Sequence, residues 1–336
     1  MKLTAVVRAM RLQARGVVSL ELVPAAGSVF APFEAGAHID LHLSAGLVRP
    51  YSLLNVFDAQ DPCYEVAVLK EPRSRGGSRH VHEALRVGQT LDISAPRNHF
   101  ALDPHKPADA PTVLLAGGIG ITPLLGMMRE LSRSAQPQRV HLIYAARTRA
   151  HAAYQQEIAA LCKASAHQLS FQTHFDDEQG APPDLHALLS AWPVQTRLYA
   201  CGPAPMLDAF VNTCAQLGLT HARLERFAAS APPPSSTDRT ETSESEGASS
   251  YKVVLQRSGA QLEVAAGQSI LQALLDAGHP IAYSCGEGLC GSCETRVISG
   301  DVEHLDSILS ASEQAANKSM MICVSRCRSG DLVLDL

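Results

Sequence analysis

Four cysteines near the C-terminus, Cys285, Cys290, Cys293 and Cys323, follow the spacing C-x4-C-x2-C-x29-C. Thiolates at this spacing are the ligand pattern of a plant-type [2Fe–2S] cluster, which handles one electron at a time. The run Tyr283-Ser284-Cys285-Gly286-Glu287-Gly288-Leu289-Cys290-Gly291-Ser292-Cys293 sets glycines between the first three thiols. Glycines let a backbone turn tightly and bring N–H groups toward sulfur. Zinc and simple buried thiols are the other readings. Zinc takes two close cysteine pairs, and only Cys290 and Cys293 make one. Cys327 competes with Cys323 for the last ligand position. The apolar, strand-like stretch Met321-Ile322-Cys323-Val324 favours Cys323 and leaves Cys327 a spare thiol.

A second set of residues suits phosphate chemistry. The apolar segment Thr112–Ala116 runs into Gly117-Gly118-Ile119-Gly120-Ile121-Thr122-Pro123. Thr122 is expected to cap the helix that follows, with Pro123 in its first turn, so that N–H groups and the positive end of the helix face a pyrophosphate. The match to G-x-G-x-x-G is incomplete, and a tight structural turn is the competing reading. Cys201-Gly202-Pro203 forms another corner, equally suited to a turn or to a nicotinamide contact.

Two further motifs lie upstream: Arg49-Pro50-Tyr51-Ser52-Leu53-Leu54-Asn55 and Arg75-Gly76-Gly77-Ser78-Arg79. Arginine with a glycine-opened backbone and a hydroxyl suits a phosphate; Tyr51 offers an aromatic wall and Ser52 a hydrogen bond to a flavin ring. The bland alternatives are a core tyrosine and a Gly-Gly hairpin. Nicotinamide delivers electrons in pairs and a [2Fe–2S] cluster takes them singly, so a flavin between them would serve as converter.

These motifs require distinct scaffolds. Residues 1–104 show short apolar runs, such as Ala5–Met10, Gly36–Leu43 and Tyr64–Lys70, broken by Gly, Pro and Asp, which predict an antiparallel β-barrel or sandwich. Over 105–227, strands at Thr112–Ala116, Val140–Ala145, Ser170–His174 and Arg197–Ala200 alternate with helical stretches, which predicts a parallel sheet of the nucleotide-binding kind. Residues 228–250 contain no large apolar side chain and read as a linker, about 26 Å in root-mean-square span if flexible throughout. Residues 251–336 read as a small strand-plus-helix domain, with a hairpin around Ser258-Gly259 and a helix over Ser269–Ala277.

The chain of 336 residues is 46% hydrophobic with a net charge of −5. No run approaches the ~20 apolar residues of a membrane span, and no basic cluster points to nucleic acid. Residues 251–336 hold 6 Lys/Arg against 10 Asp/Glu, whereas the first 227 hold 21 against 19. Only the C-terminal part, with the linker, is acidic, which suits either a solvated face or docking to a basic partner. Four cluster ligands out of nine cysteines leave five scattered thiols, an odd set that fits a reducing cytoplasm.

Taken in order, these motifs, with Ala95-Pro96-Arg97-Asn98 and the ending Cys323-Val324-Ser325-Arg326, resemble the phthalate dioxygenase reductase family, which includes the vanillate demethylase reductases. The resemblance covers essentially the whole chain; the linker departs from it in length and acidity. It implies an FMN-binding barrel, an NAD(P)-binding α/β domain and a β-grasp ferredoxin domain. It also implies that Arg49, Tyr51 and Ser52 hold the flavin ring and ribityl region, that Arg75, Gly76, Gly77 and Ser78 form the phosphate motif, and that Gly118, Gly120 and Thr122 hold the dinucleotide phosphates. Cys201 and Gly202 would lie near the nicotinamide, and Phe227 beside the flavin, although a domain-closing contact would also explain Phe227. The activity implied is electron transfer from NADH through FMN and the cluster to a Rieske-type aromatic oxygenase. Arg147 and Arg149 could accept the 2′-phosphate of NADPH instead. A reductase for a haem monooxygenase and a non-enzymatic redox sensor are the rival functions, and a monomer is the expected state.

Overall fold

A computed structural model describes residues 2–43, 46–72, 74–103, 110–134, 138–165, 168–227, 250–281 and 283–336. It divides into two compact units, Met1–Phe227 and Ala228–Leu336. The boundary expected after residue 104 and, apart from Ser250, the linker expected over 228–250 lie outside the described residues.

The first unit opens with β1 (Lys2–Ala14), β2 (Val17–Pro24), β3 (Ala37–His42), β4 (Val48–Ser52) and β5 (Tyr64–Leu69), then α1 (Gly77–Glu83), β6 (Thr90–Ser94) and the short β7 (Arg97–Asn98). The strands run in the order β4-β3-β6-β1-β2-β5, all antiparallel, with β7 beside β3. A bridge between Leu53 and Val66 joins the two ends of that order into a barrel. Alternate residues, Leu20 and Leu22, Ile39 and Leu41, Val66 and Val68, point into one core, as the two-residue period of a strand demands. Gly76 and Gly77 open α1 and form no hairpin.

A parallel sheet follows: β8 (Thr112–Gly117), α2 (Ile121–Ser132), β9 (Val140–Ala146), α3 (Gln155–Ala164), β10 (Leu169–Phe175), α4 (Asp176–Gln179), α5 (Leu185–Ser190), β11 (Arg197–Gly202), α6 (Ala204–Leu217) and β12 (Ala222–Arg226). Its order is β10-β9-β8-β11-β12. Central β8 is buried throughout: Leu114 and Ala116 face one core, Val113 and Leu115 the other, the pattern of a sheet covered on both faces. The chain winds outward from β8 through β9 to β10 and returns to β11 on the other side, so the topological switch point lies at the C-terminal ends of β8 and β11.

Barrel and parallel sheet share a core. Val17, Ala35, Leu54, Ala67 and Phe100 of the barrel segment pack in one cluster with Leu124, Leu125 and Met128 of α2. Arg129 on α2 pairs with Glu65 of β5 at 2.8 Å and with Glu157 of α3 at 2.6 Å, and Glu130 accepts the Ala35 N–H at 2.7 Å.

The second unit contains β13 (Tyr251–Leu255), β14 (Gln261–Val264), α7 (Ile270–Asp276), β15 (Glu294–Glu303), α8 (Ala311–Ala316), β16 (Ser319–Met321) and β17 (Arg326–Leu334). The order is β14-β13-β17-β15-β16, with β13 and β17 parallel and the other pairs antiparallel. Ser269 caps α7 by accepting the Gln272 N–H at 3.1 Å, and Ile270, Ala273 and Leu274 pack on Val253, Leu332 and Leu334. A hairpin, one helix on the sheet and a parallel central pair make a β-grasp ferredoxin fold. The cysteine loop connects α7 to β15.

Candidate functional site

The loop that holds Cys285, Cys290 and Cys293 is fixed to the turn that holds Cys323. Ser307 donates its N–H to the Gly288 carbonyl at 3.1 Å. A Cβ on Gly288, whose φ is +69°, would stand 2.6 Å from Val324 and 3.1 Å from the Asp306 Cα, so only glycine lets these segments close. Asp306 ties the far side, accepting the N–H groups of Ile308 and Leu309 at 3.2 and 2.8 Å. Cys323 follows β16 in a turn, contrary to the strand its apolar neighbours suggested: Ile322 enters the core, while Val324 and Ser325 give their N–H groups to the Met321 carbonyl at 3.1 and 2.9 Å, which reverses the chain.

The four thiols fall into two pairs. Cys293 Sγ and Cys323 Sγ are 3.0 Å apart. In the other pair the hydrogen bond between Cys285 and Cys290 draws Cys290 down to about 5 and pushes Cys285 up. Backbone N–H groups of Glu287 and Leu289 point at Cys285 Sγ at 3.3 and 3.4 Å, and that of Cys285 at Cys290 Sγ at 3.4 Å. Donors aimed at sulfur stabilise thiolate charge. Cys327 faces elsewhere, its thiol 3.3 Å from the Ser329 carbonyl.

At the switch point, β8 passes through a 3-10 turn, Gly118–Gly120, into α2 at Ile121. This early start removes Thr122 from the capping position: it lies inside the helix, and its hydroxyl donates to the Ile119 carbonyl at 3.1 Å. Any Cβ on Gly120 would overlap the Cys201 carbonyl, so Gly118–Gly120 and Cys201-Gly202 abut. Beside them, at the end of β9, Arg149 pairs with Glu178 at 3.0 and 3.1 Å and lies 4.5 Å over the Phe175 ring, and the Asp177 N–H donates to the Arg147 carbonyl at 3.1 Å.

On the barrel, Arg49 and the Gly76-Gly77 corner come together: a Cβ on Gly77 would stand 2.8 Å from Arg49 Cγ. Ser78 Oγ is 3.0 Å from Ser74 Oγ and accepts the Glu71 N–H. Arg75 is exposed. Burial pushes the Tyr51 hydroxyl up to about 12. Ser52 is 4% exposed and stands directly opposite His38 in the β3/β4 pairing.

One carboxyl of the parallel sheet reaches across to the Tyr51-Ser52 motif of the barrel. Glu225, opposite Cys201 in the β11/β12 register, reaches toward Ser52; burial lifts it to about 8, with the Ser52 hydroxyl pulling the other way. Its Oε2 is buried with no hydrogen-bond partner among the described residues. The fully buried Cys201 thiol is raised by burial and, further, by Glu225. Phe227, 42% exposed, lies just past β12.

Residues 114–212 match the oxidoreductase NAD-binding domain and residues 253–328 the 2Fe-2S iron-sulfur cluster binding domain. The vanillate O-demethylase oxidoreductase of Pseudomonas sp. (strain HR199 / DSM 7063) is 41% identical over 335 residues, 98% of this chain and 99% of that protein. The phthalate dioxygenase reductase structure, described as modular for electron transfer from pyridine nucleotides to [2Fe–2S], superposes with a TM-score of 0.66 at 31% identity over 100% of this chain and 98% of its own. This chain belongs to the phthalate dioxygenase reductase family. An intact type IV self-sufficient cytochrome P450 monooxygenase also superposes, with a TM-score of 0.85 at 34% identity; this chain is covered fully and spans 41% of that one.

Within this member of the phthalate dioxygenase reductase family, the sequence singles out Phe227 but not Glu225, two residues before it. The available signal was an acidic residue beside Leu224 near the end of a short strand. Such residues are mostly solvated. The hydrogen-bond partner of Glu225, Ser52, is far away in sequence, and no local pattern encodes that meeting.

Proposed function

We propose that this chain is the reductase component of a two-component Rieske-type aromatic oxygenase, carrying electrons from NADH through FMN and a [2Fe–2S] cluster to a separate oxygenase protein. The observation that carries the reading is the meeting of Ser52, Glu225 and Cys201 where the barrel touches the switch point of the parallel sheet. A flavin on the barrel and a nicotinamide at the switch point would be neighbours there. Residues 1–104 would form the flavin domain, 105–227 the nucleotide domain, and 251–336, after a linker over 228–250, the ferredoxin domain.

The residues present fit these groups. The thiols of Cys285, Cys290, Cys293 and Cys323 stand as two pairs with N–H donors aimed at sulfur, a donor set suited to two irons. Arg49, Gly76 and Gly77 converge where a phosphate would need one cation and open backbone, with Arg75 and Ser78 flanking. The orphaned Glu225 Oε2 needs a polar partner that a flavin edge would supply. When bound, the flavin exchanges electron pairs with nicotinamide and single electrons with the cluster.

The side chains would act as follows. Ser52 orients the flavin, Tyr51 walls it, and Phe227 covers it. Gly118, Gly120 and Thr122 shape the pyrophosphate corner, and Cys201 with Gly202 sets the nicotinamide height. Arg149 is occupied by Glu178 and Phe175, which leaves it less available to a 2′-phosphate and favours NADH.

The likeness to the self-sufficient P450 monooxygenase supports a second reading, one-electron supply to a haem monooxygenase. A redox sensor without enzymatic activity would leave the flavin and nucleotide corners without a role. No helix among the described residues is long and apolar enough to cross a membrane. The odd, scattered set of cysteines outside the cluster supports a cytoplasmic location, and a modular carrier of this kind would act as a monomer.

Anaerobic stopped-flow mixing with NADH, and separately with NADPH, tests the relay. Flavin bleaching followed by loss of iron–sulfur absorbance is expected, faster with NADH. A bleached flavin beside an unchanged cluster would refute the single-chain relay. Turnover of a Rieske oxygenase but not of a P450 would separate the two acceptors.

A further inference from the structure

Resting on this reading, the stoichiometry poses a problem of proton traffic. Oxidation of NADH yields NAD+, two electrons and one proton. The electrons leave singly to the cluster and its acceptor, and the proton has to reach solvent from a place where the nearest carboxyl, Glu225, has a buried Oε2 with no partner among the described residues.

On the outer face of the barrel a polar track leads away from that place. His38 is 5% exposed and directly opposite Ser52, so both side chains leave the sheet on the same face, about 5 Å apart at Cβ. Arg97 on β7 holds its Nη2 3.5 Å from His38 Nε2 and 2.6 Å from Asp40 Oδ2. A guanidinium only donates, so at rest His38 Nε2 accepts this long contact and Nδ1 carries a proton; a proton arriving from the Ser52 side is taken at Nε2 in place of the Arg97 contact, and the Nδ1 proton is the one passed on. The His38 ring is 5.9 Å, centroid to centroid, from that of His99, which is exposed. Other titratable groups on this face, farther from Ser52, are His42 of β3 and Asp92 of β6, which pair in register, and Lys2 of β1, whose charge acts on His42. Asp40 offsets the Arg97 charge, so an imidazolium formed in passing at His38 faces a nearly neutral pair.

We propose that His38 and His99 are the proton exit of this reductase, carrying the proton left by each oxidised nicotinamide from Ser52 and Glu225 to solvent. His38 is a positioning and relay residue; it need not touch a cofactor. A merely structural His38 would brace Arg97 and carry nothing.

The test follows proton appearance with a pH-indicator dye in weakly buffered, anaerobic solution while the FMN- and cluster-loaded full chain is mixed with NADH. In the parent protein dye response should keep pace with cluster reduction. In His38→Gln it should slow about tenfold, with a solvent isotope effect above about 2 and recovery on adding imidazole, while flavin bleaching by NADH stays within about twofold. In His99→Gln a slowing of about two- to fivefold is expected. Unchanged proton release in both variants overturns the proposal, as does a slowing that imidazole cannot rescue and that affects flavin bleaching equally. Should His38→Gln lose FMN, surface-exposed His99→Gln alone decides by the same criteria. Failure of NADH to bleach the parent flavin would instead sink the reductase reading itself.

Discussion

Replacing Glu225 by glutamine removes a titration that the fold has displaced. Burial lifts this carboxyl from its ordinary 4.5 to about 8. A carboxyl raised in the folded state binds more protons folded than unfolded between those two values, so its ionisation erodes stability as pH rises through that window. At roughly 1.4 kcal/mol per pKa unit the loss amounts to about 3 kcal/mol between pH 5 and pH 8. Glutamine, neutral throughout and nearly isosteric, pays a fixed cost for its buried amide and no pH-dependent one. The melting temperature of Glu225→Gln relative to the parent should therefore climb with pH, by roughly 6–12 °C over the window for a unit of this size, and level off above pH 8. Thermal melts followed by release of flavin fluorescence, at half-unit steps of pH, would show it. A difference that stays constant from pH 5 to pH 9 would mean that Glu225 is ionised in the folded protein, and the neutral carboxyl beside Ser52 would have to be abandoned.

At the switch point, Gly120→Ala should destabilise by ~3 kcal/mol or more, because its methyl overlaps the Cys201 carbonyl. Gly118→Ala, at φ +54° in open space, should cost about 1–2 kcal/mol of backbone strain; urea melts that rank the two the other way would refute the packing argument. Cys323→Ser should abolish the visible iron–sulfur absorbance and the low-temperature EPR signal of the reduced protein, while Cys327→Ser keeps both; loss of both signals in Cys327→Ser would reassign the fourth ligand. Glu178→Ala frees Arg149, and since exposed ion pairs contribute at most about 1 kcal/mol, kcat/KM for NADPH should rise about fivefold or less, with NADH unchanged. No change for NADPH would place the 2′-phosphate elsewhere.

Much of this architecture could be read from the chain because local periodicity carries it. The alternation of apolar β8, β9, β10 and β11 with helices predicts a parallel sheet, and Ser269 announces α7. Where neighbours decide, reading fails. Thr122 has the composition of a cap, yet the preceding glycines wind into a 3-10 turn and start the helix before it. Cys323 sits among strand-forming residues, yet its neighbours turn back onto the Met321 carbonyl. The candidate site shows the same division. Arg49, Ser52 and the two glycine corners stand out as motifs. Glu225 and His38 acquire interest only when strands distant in sequence bring them beside Ser52.

The cluster in which α2 packs between the barrel and the parallel sheet limits how evolution could cut and rejoin this chain. Severing the gene between barrel and sheet would strip Leu54, Ala67 and Phe100 from Leu124, Leu125 and Met128, so each half would be born with an open hydrophobic wound and a tendency to aggregate. Among the described residues, the core cluster of the second unit is built from residues 251–336. Recombination should therefore trade the flavin and nucleotide portions as one inherited block while the iron–sulfur portion is appended, moved or lost separately, and calorimetry of the full chain should resolve two cooperative transitions where three sheets alone would suggest three.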